Sequence, residues 1–172
     1  MPRLFFAVDL PDDLRRKIVG IQSEIALPNV KLVEPENLHI TLLFLGDRED
    51  VDYILSRASA VKFEPFAYRI TGVQVFPNLN FMRSIVFKVQ PRAPFANLHK
   101  QLKKLLNVGS DGYQPHITLG RVKYRSNEDK LISFITKYSS YISQEYEAKA
   151  FKLKKSILRK EGPIYIDVGE FK

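Results

Sequence analysis

An α+β fold assembled from two related halves is what this chain predicts, and three features predict it. The string His-Ile-Thr-Leu occurs twice, at His39–Leu42 and His116–Leu119, in a chain of 172 residues with only 3 histidines. Each copy follows a strand-like run and an amphipathic helix, and each is followed by a further helix and strand, as an internal repeat requires. The chain is 45% hydrophobic and 12% aromatic, enough for a sizeable core, and no low-complexity linker divides it. The expected organisation is a single domain over residues 1–172, with the repeat spanning roughly 4–82 and 83–172.

The elements follow in order. "LFFAVDL" (Leu4–Leu10) is a short apolar run with strand character. "PDDLRRKIVGIQSEIAL" reads as a helix: Pro11 suits its first turn, Asp12 and Asp13 suit the positive end of the helix dipole, and Leu14, Ile18, Ile21 and Ile25 share one face. "HITLLFL" is the next strand, and "EDVDYILSRASAV" a second helix with Val51, Ile54, Leu55, Ala58 and Val61 inward. "FAYRITGVQVF" closes the first half as a strand, and "FPNLNFMRS" (Phe76–Ser84) is the connecting turn.

The second half repeats this order. "SIVFKV" (Ser84–Val89) is a strand, and "PFANLHKQLKKLL" a helix with Phe95, Leu98, Leu102 and Leu105 on one face. "HITLGRV" is a strand. "NEDKLISFITKY" is a helix with Asn127 as its N-cap and Leu131, Phe134, Ile135 and Tyr138 inward. "YEAKAFKLKKSIL" and "IYIDVGEF" are final strands joined around "KEGP". Each half therefore reads β-α-β-α-β, a lobe with helices on one face of a sheet. Two such lobes either pack their open sheet faces together or line a cleft.

Composition narrows the function classes. No cysteine occurs, which excludes disulfides, thiolate metal sites and a cysteine nucleophile and agrees with a cytoplasmic protein. The N-terminal apolar run is too short for a signal peptide, and no stretch approaches the roughly 20 apolar residues of a membrane helix, so no membrane partner is expected. Residues 1–82 carry 9 Lys and Arg against 11 Asp and Glu, whereas residues 83–172 carry 18 against 8. So uneven a basic surface attracts polyanions; it also suits a merely soluble protein.

The repeated string carries the chemistry. Residues two apart in a strand share a face, so His39 and Thr41 point one way, while Leu38, Ile40, Leu42 and Phe44 form an apolar set on the other. His116 and Thr118 stand likewise against Ile117 and Leu119. If a pseudo-twofold axis relates the lobes, the two His–Thr pairs face each other across a cleft. In-line hydrolysis at phosphorus needs a base on the incoming water and an acid on the leaving oxygen. Histidine, with an unperturbed pKa of about 6.5, can serve as either. Threonine hydroxyls and backbone N–H groups can donate to the non-bridging oxygens. His99, in a lysine-rich helix with no partner motif, reads as a helix-surface residue. There is no H-E-x-x-H or cysteine cluster for zinc, no glycine-rich phosphate loop and no G-x-S-x-G elbow. Neither a metal nor a cofactor is called for.

At these residues the chain resembles the 2H phosphoesterase superfamily, named for two H-x-[ST] motifs, and within it the RNA 2′,3′-cyclic phosphodiesterase family, also called the 2′-5′ RNA ligase (ThpR/LigT) family. "RLFFAVDLP", "PENLHITLLFLG", "VFPN", "LHKQL", "YQPHITLGRVK" and "EGPIYIDVGEF" carry the resemblance over nearly the whole chain. It implies a bilobal fold: two pseudo-twofold-related lobes of antiparallel-rich sheet, helices on the outer faces, a basic central cleft. It implies that an RNA 2′,3′-cyclic phosphate end is opened to a 2′-phosphate, with His39 as proton donor, His116 as proton acceptor, and Thr41 and Thr118 holding the phosphate. It implies an RNA or phosphate contact at Arg121. That residue lies five positions after His116, so an ideal strand would aim it away from the site; either Gly120 permits a bulge, or Arg121 reaches round the cleft edge. Lys123 and Tyr124 could extend that surface or form a solvated strand end. Arg83, Phe5 and Phe44 lie in matching family segments, with core packing the expected role of both phenylalanines. Many relatives have a tryptophan near Val33 and Val86; this chain has no tryptophan.

Expected partners are thus RNA with a 2′,3′-cyclic phosphate end, tRNA fragments by analogy, acted on by a monomer. Three alternatives use the same residues differently: 2′-5′ ligation in the same site, hydrolysis of small cyclic nucleotides or 2′-5′ oligoadenylates, and a non-catalytic RNA-binding module. The last wants exposed sheet aromatics and leaves the paired histidines unexplained.

Overall fold

A computed structural model describes residues 2–109 and 112–172. Among the described residues, nine strands and four α-helices follow in the order β1 (Arg3–Asp9), α1 (Asp12–Gln22), β2 (Val30–Leu32), β3 (His39–Asp47), α2 (Val51–Ala58), β4 (Phe66–Asn78), β5 (Phe81–Gln90), α3 (Arg92–Leu106), β6 (His116–Val122), α4 (Glu128–Tyr138), β7 (Tyr146–Ala148), β8 (Phe151–Ile157) and β9 (Ile164–Phe171). All strand pairings are antiparallel, in the order β7-β4-β5-β6-β3-β1-β8-β9, with β2 added to β6. The sheet curls into a half-barrel with the two motif strands, β3 and β6, at its centre.

The pseudo-twofold passes through one residue pair. Ile40 of β3 lies opposite Ile117 of β6, each the residue after its histidine. Both are fully buried and face the helices. The lobes do not coincide with the halves of the repeat. β4, from the first half, pairs with β5, because only Leu79 and Asn80 separate them and a tight antiparallel hairpin results. β8 and β9, from the second half, extend the opposite edge beside β1. The segment Phe76–Ser84 is accordingly mostly strand, with a turn only at its middle.

Helices are exchanged as well. α1 packs against β6 and α3 against β3, so each motif strand is backed by the helix of the other half. The apolar faces of these helices, Leu14, Ile18 and Ile21 on one and Phe95, Leu98 and Leu102 on the other, join a single core with the strand residues beneath them. Each fully buried aliphatic side chain there stabilises the fold by about 1.5–3 kcal/mol relative to exposure. Asp12 and Asp13 occupy the first turn of α1, as expected from the dipole. Asn127 does precede α4, but in a left-handed conformation with φ 55°, and its side chain caps nothing. Its amide instead donates to Asn29 Oδ1 at 3.1 Å.

Candidate active site

The concave face of the half-barrel carries a cleft of about 550 Å³ lined by His39, Thr41, His116 and Thr118. Strand alternation puts both His–Thr pairs on this face, as the motif predicts. One fixed tautomer is imposed on each ring. His39 Nδ1 lies 2.6 Å from the carbonyl of Asn37, and His116 Nδ1 lies 2.9 Å from the carbonyl of Gln114. A carbonyl only accepts, so each Nδ1 carries the hydrogen and each Nε2 of the neutral ring is the nitrogen with a lone pair able to take a proton. His39 Nε2 lies 2.9 Å from Thr41 Oγ1. Both imidazoles are half-buried.

Burial pushes the His39 pKa below its ordinary value. The Asn37 carbonyl works against this, and the nearby Lys154 ammonium adds to it. Lys154 belongs to a closed ring of charge flanking the site: its Nζ is 2.8 Å from both Asp9 and Asp167, and Lys152 Nζ bridges the same two carboxylates at 2.8 Å. Burial would raise the Asp9 carboxyl, but hydrogen bonds and charge from the two lysines outweigh it and hold the group below the usual range. Asp9 lies opposite His39 in the β1–β3 ladder. Aromatic edges complete the walls. Phe5, buried, and Tyr165 pack on the His39 ring at centroid distances of 5.2 and 5.4 Å, and Phe76 packs on His116 at 5.8 Å.

Two bulges correct the strand-parity expectation. On β3, Thr41 pairs with Ala7 and Leu43 with Phe6, leaving Leu42 as an extra residue. On β6, Thr118 pairs with Val86 and Gly120 with Ile85, leaving Leu119 extra. One extra residue reverses the facing of everything after it. Phe44 therefore turns into the cleft, 69% exposed, rather than into the core. Arg121, its repeat counterpart, turns into the same cleft, as the glycine-assisted bulge anticipated. Gly120 has a further reason to lack a side chain: β2 crosses it, and a Cβ there would meet Val30 Cγ1 at 3.0 Å and the Lys31 carbonyl at 3.1 Å.

The third histidine is a second correction. His99 is buried, not on the helix surface, and its Nδ1 donates to the Leu42 carbonyl at 2.7 Å, at the bulge itself. Its ring stacks on Tyr113 at 4.5 Å, and the Tyr113 hydroxyl donates to the Thr41 carbonyl at 2.8 Å. Burial raises the Tyr113 pKa, which keeps that hydroxyl a donor. Gln22, which stands to Leu119 as His99 stands to Leu42, is buried and donates to the Leu119 carbonyl at 2.8 Å. Each bulge thus has its carbonyl satisfied by a polar side chain from the helix behind it. Neighbouring lysines in "NLHKQLKK" hid this role in the sequence; the 77-residue offset shared by Gln22/His99 and Leu42/Leu119 carried the signal.

Arg83, Lys123 and Tyr124 are not in the histidine cleft. They line an adjoining groove, which shares Arg121 with it. Val33 and Val86, at the tryptophan-poor positions, do line the histidine cleft, as does the β8–β9 turn through Gly162 and Pro163. That turn is tied down by Lys31 Nζ on the Glu161 carbonyl at 2.9 Å and by Asn37 Nδ2 on the Pro163 carbonyl at 2.7 Å. Tyr165 and Phe76 reach the site through long-range pairing that sequence spacing does not encode. Among the described residues no group of three or more His, Cys, Asp or Glu is placed to hold a metal ion, and no helix is long and apolar enough to cross a membrane.

Comparison with known proteins places this geometry. The family model described as LigT like Phosphoesterase matches twice, over residues 8–87 and 86–165, in step with the internal repeat. A protein of Archaeoglobus fulgidus is 41% identical across 98% of this chain and 99% of its own length, and one of Methanocaldococcus jannaschii is 37% identical over 98% and 99%; both are named RNA 2′,3′-cyclic phosphodiesterase. A crystal structure from Thermus thermophilus, 28% identical, superposes with a TM-score of 0.82 over 98% of this chain and 96% of that one. Escherichia coli LigT, 23% identical, shares the fold with a TM-score of 0.82 over 99% and 96%. With its two-lobed antiparallel sheet and its paired H-x-T strands, the chain belongs to the LigT-like family of 2H phosphoesterases.

Proposed function

We propose that the protein opens RNA 2′,3′-cyclic phosphate ends to 2′-phosphates, without a metal, by acid–base catalysis from two histidines. The observation that carries this is the matched pair of H-x-T strands on one cleft, each imidazole locked by a carbonyl at Nδ1 with Nε2 left for proton transfer. His116 takes a proton from water at Nε2 as the water oxygen attacks phosphorus. The P–O3′ bond breaks on the opposite side, and His39 Nε2–H delivers its proton to the departing O3′. Thr41 and Thr118 donate hydrogen bonds to the non-bridging oxygens, and the Arg121 guanidinium neutralises charge building there. Burial alone favours neutral His39. A bound phosphate anion beside Nε2 acts in the other direction, so the substrate itself helps load the proton that His39 gives. When the 5′-hydroxyl of a second RNA takes the place of water, the same acid and base form a 2′-5′ linkage.

The test is His39→Ala and His116→Ala, assayed on an oligoribonucleotide ending in a 2′,3′-cyclic phosphate. General acid–base catalysis typically contributes about 10²–10⁴-fold, so each variant should lose at least about a hundredfold in kcat while keeping the wild-type unfolding transition. Near wild-type turnover in either variant would refute the two-histidine mechanism.

A further inference from the structure

Resting on that activity, we infer that the adjoining groove is a subsite for the single-stranded nucleotides just 5′ of the cyclic end, with the exposed Phe81 ring as its base-stacking platform. The groove, about 480 Å³, runs between the tip of the β4–β5 hairpin and the β6–α4 loop. It is continuous with the histidine cleft through Arg121, which lines both. A chain whose terminal phosphate sits between the histidines therefore continues past Arg121 into this groove.

Its chemistry is that of a single-strand track. Arg83, Arg121 and Lys123 line it, and none has a carboxylate partner among the described residues. Two aromatic rings, Phe81 and Tyr124, stand on its walls, each 55% exposed. The Arg83 guanidinium lies over the Phe81 ring, 4.9 Å from its centroid. Cations following a backbone, interleaved with open ring faces, hold unpaired bases by stacking. Paired bases in a duplex would not offer their faces to these rings.

The walls are preorganised. The hairpin tip is closed by Asn78, whose Oδ1 accepts from the backbone N–H groups of Asn80 and Phe81 at 2.9 and 3.0 Å. The facing loop is pinned by the buried Asn29, whose amide donates to the Tyr124 and Ser126 carbonyls at 2.9 and 2.7 Å. Phe81 touches neither histidine, and its removal should leave phosphorus chemistry unaltered.

The test compares Phe81→Ala and Phe81→Tyr with wild type on two substrates, cytidine 2′,3′-cyclic phosphate and a tetraribonucleotide with the same end. For the tetranucleotide, kcat/KM should fall about tenfold in the alanine variant and recover in the tyrosine variant, the size expected for one base–aromatic stack. Turnover of the mononucleotide should be unchanged in both. Equal losses on the two substrates, or no loss on either, would overturn the subsite. Fluorescence anisotropy with a 5′-labelled tetranucleotide ending in a 2′-phosphate reads binding without turnover. About tenfold weaker binding by Phe81→Ala supports the groove even if wild type proves inactive on cyclic phosphates, and unchanged binding overturns it whatever the activity.

Discussion

Replacing His99 with leucine tests the packing behind β3. Leucine is close to histidine in size, so the change removes a donor more than it opens a void. It deletes the 2.7 Å hydrogen bond to the Leu42 carbonyl and the ring stacked on Tyr113, whose hydroxyl holds the Thr41 carbonyl. A carbonyl left buried without a partner costs about 1–3 kcal/mol. For a protein of this size each kcal/mol lowers Tm by about 2–4 °C, so His99→Leu should unfold about 2–12 °C below wild type by calorimetry. Activity should fall too, because the bulge at Leu42 turns Phe44 into the cleft and the Tyr113 hydroxyl holds the backbone of Thr41. His99→Gln should recover part of each loss, since Gln22 does the same work for Leu119 in the other half. A Tm for His99→Leu at or above wild type would refute the carbonyl-capping role.

Three further outcomes follow from the same geometry. Gly120→Ala sets a Cβ 3.1 Å from the Lys31 carbonyl, and overpacking of this kind costs about 1–3 kcal/mol; thermal unfolding should show the loss and cyclic-phosphate kinetics a lower kcat/KM, as Arg121 is displaced. Lys154→Met removes a positive charge that disfavours the His39 imidazolium, so the His39 pKa should rise. With His39 as donor, activity is lost when the group deprotonates, and the alkaline limb of the pH–rate profile should therefore move to higher pH. An acid limb moving upward instead would make His39 the base. The Asp9 and Asp167 carboxyls, held below their ordinary range, contribute stability that is full above the unfolded carboxylate pKa and lost as pH falls through their folded values. Urea melts between pH 3 and 6 should show that loss reduced in Lys154→Met, as roughly expected when a carboxylate's partner is removed.

The two H-x-T strands were legible because short-range alternation alone orients them, and because duplication in a histidine-poor chain marks them as a pair. The helices were legible for a similar reason: Leu14, Ile18 and Ile21 repeat with helical spacing and do face the core. Phe44 was misread because parity counts residues along a regular ladder, and the bulge at Leu42 breaks the count. The same parity count aims Arg121 away from the cleft; the family resemblance, with Gly120 as a place for a bulge, is what points to it. The repeat suggests lobes that follow the sequence halves, whereas a two-residue hairpin carries β4 across to β5. His99 and Tyr165 owe their roles to partners far away in the chain, Leu42 and His39, and no local pattern encodes such contacts.

The most direct measurement of the central claim is to incubate the protein, in EDTA, with a short RNA ending in a 2′,3′-cyclic phosphate and identify the new end. Two-histidine catalysis with O3′ departing predicts complete conversion to a 2′-phosphate, unaffected by the chelator. A 3′-phosphate product, or activity that disappears in EDTA and returns with added metal, would contradict it.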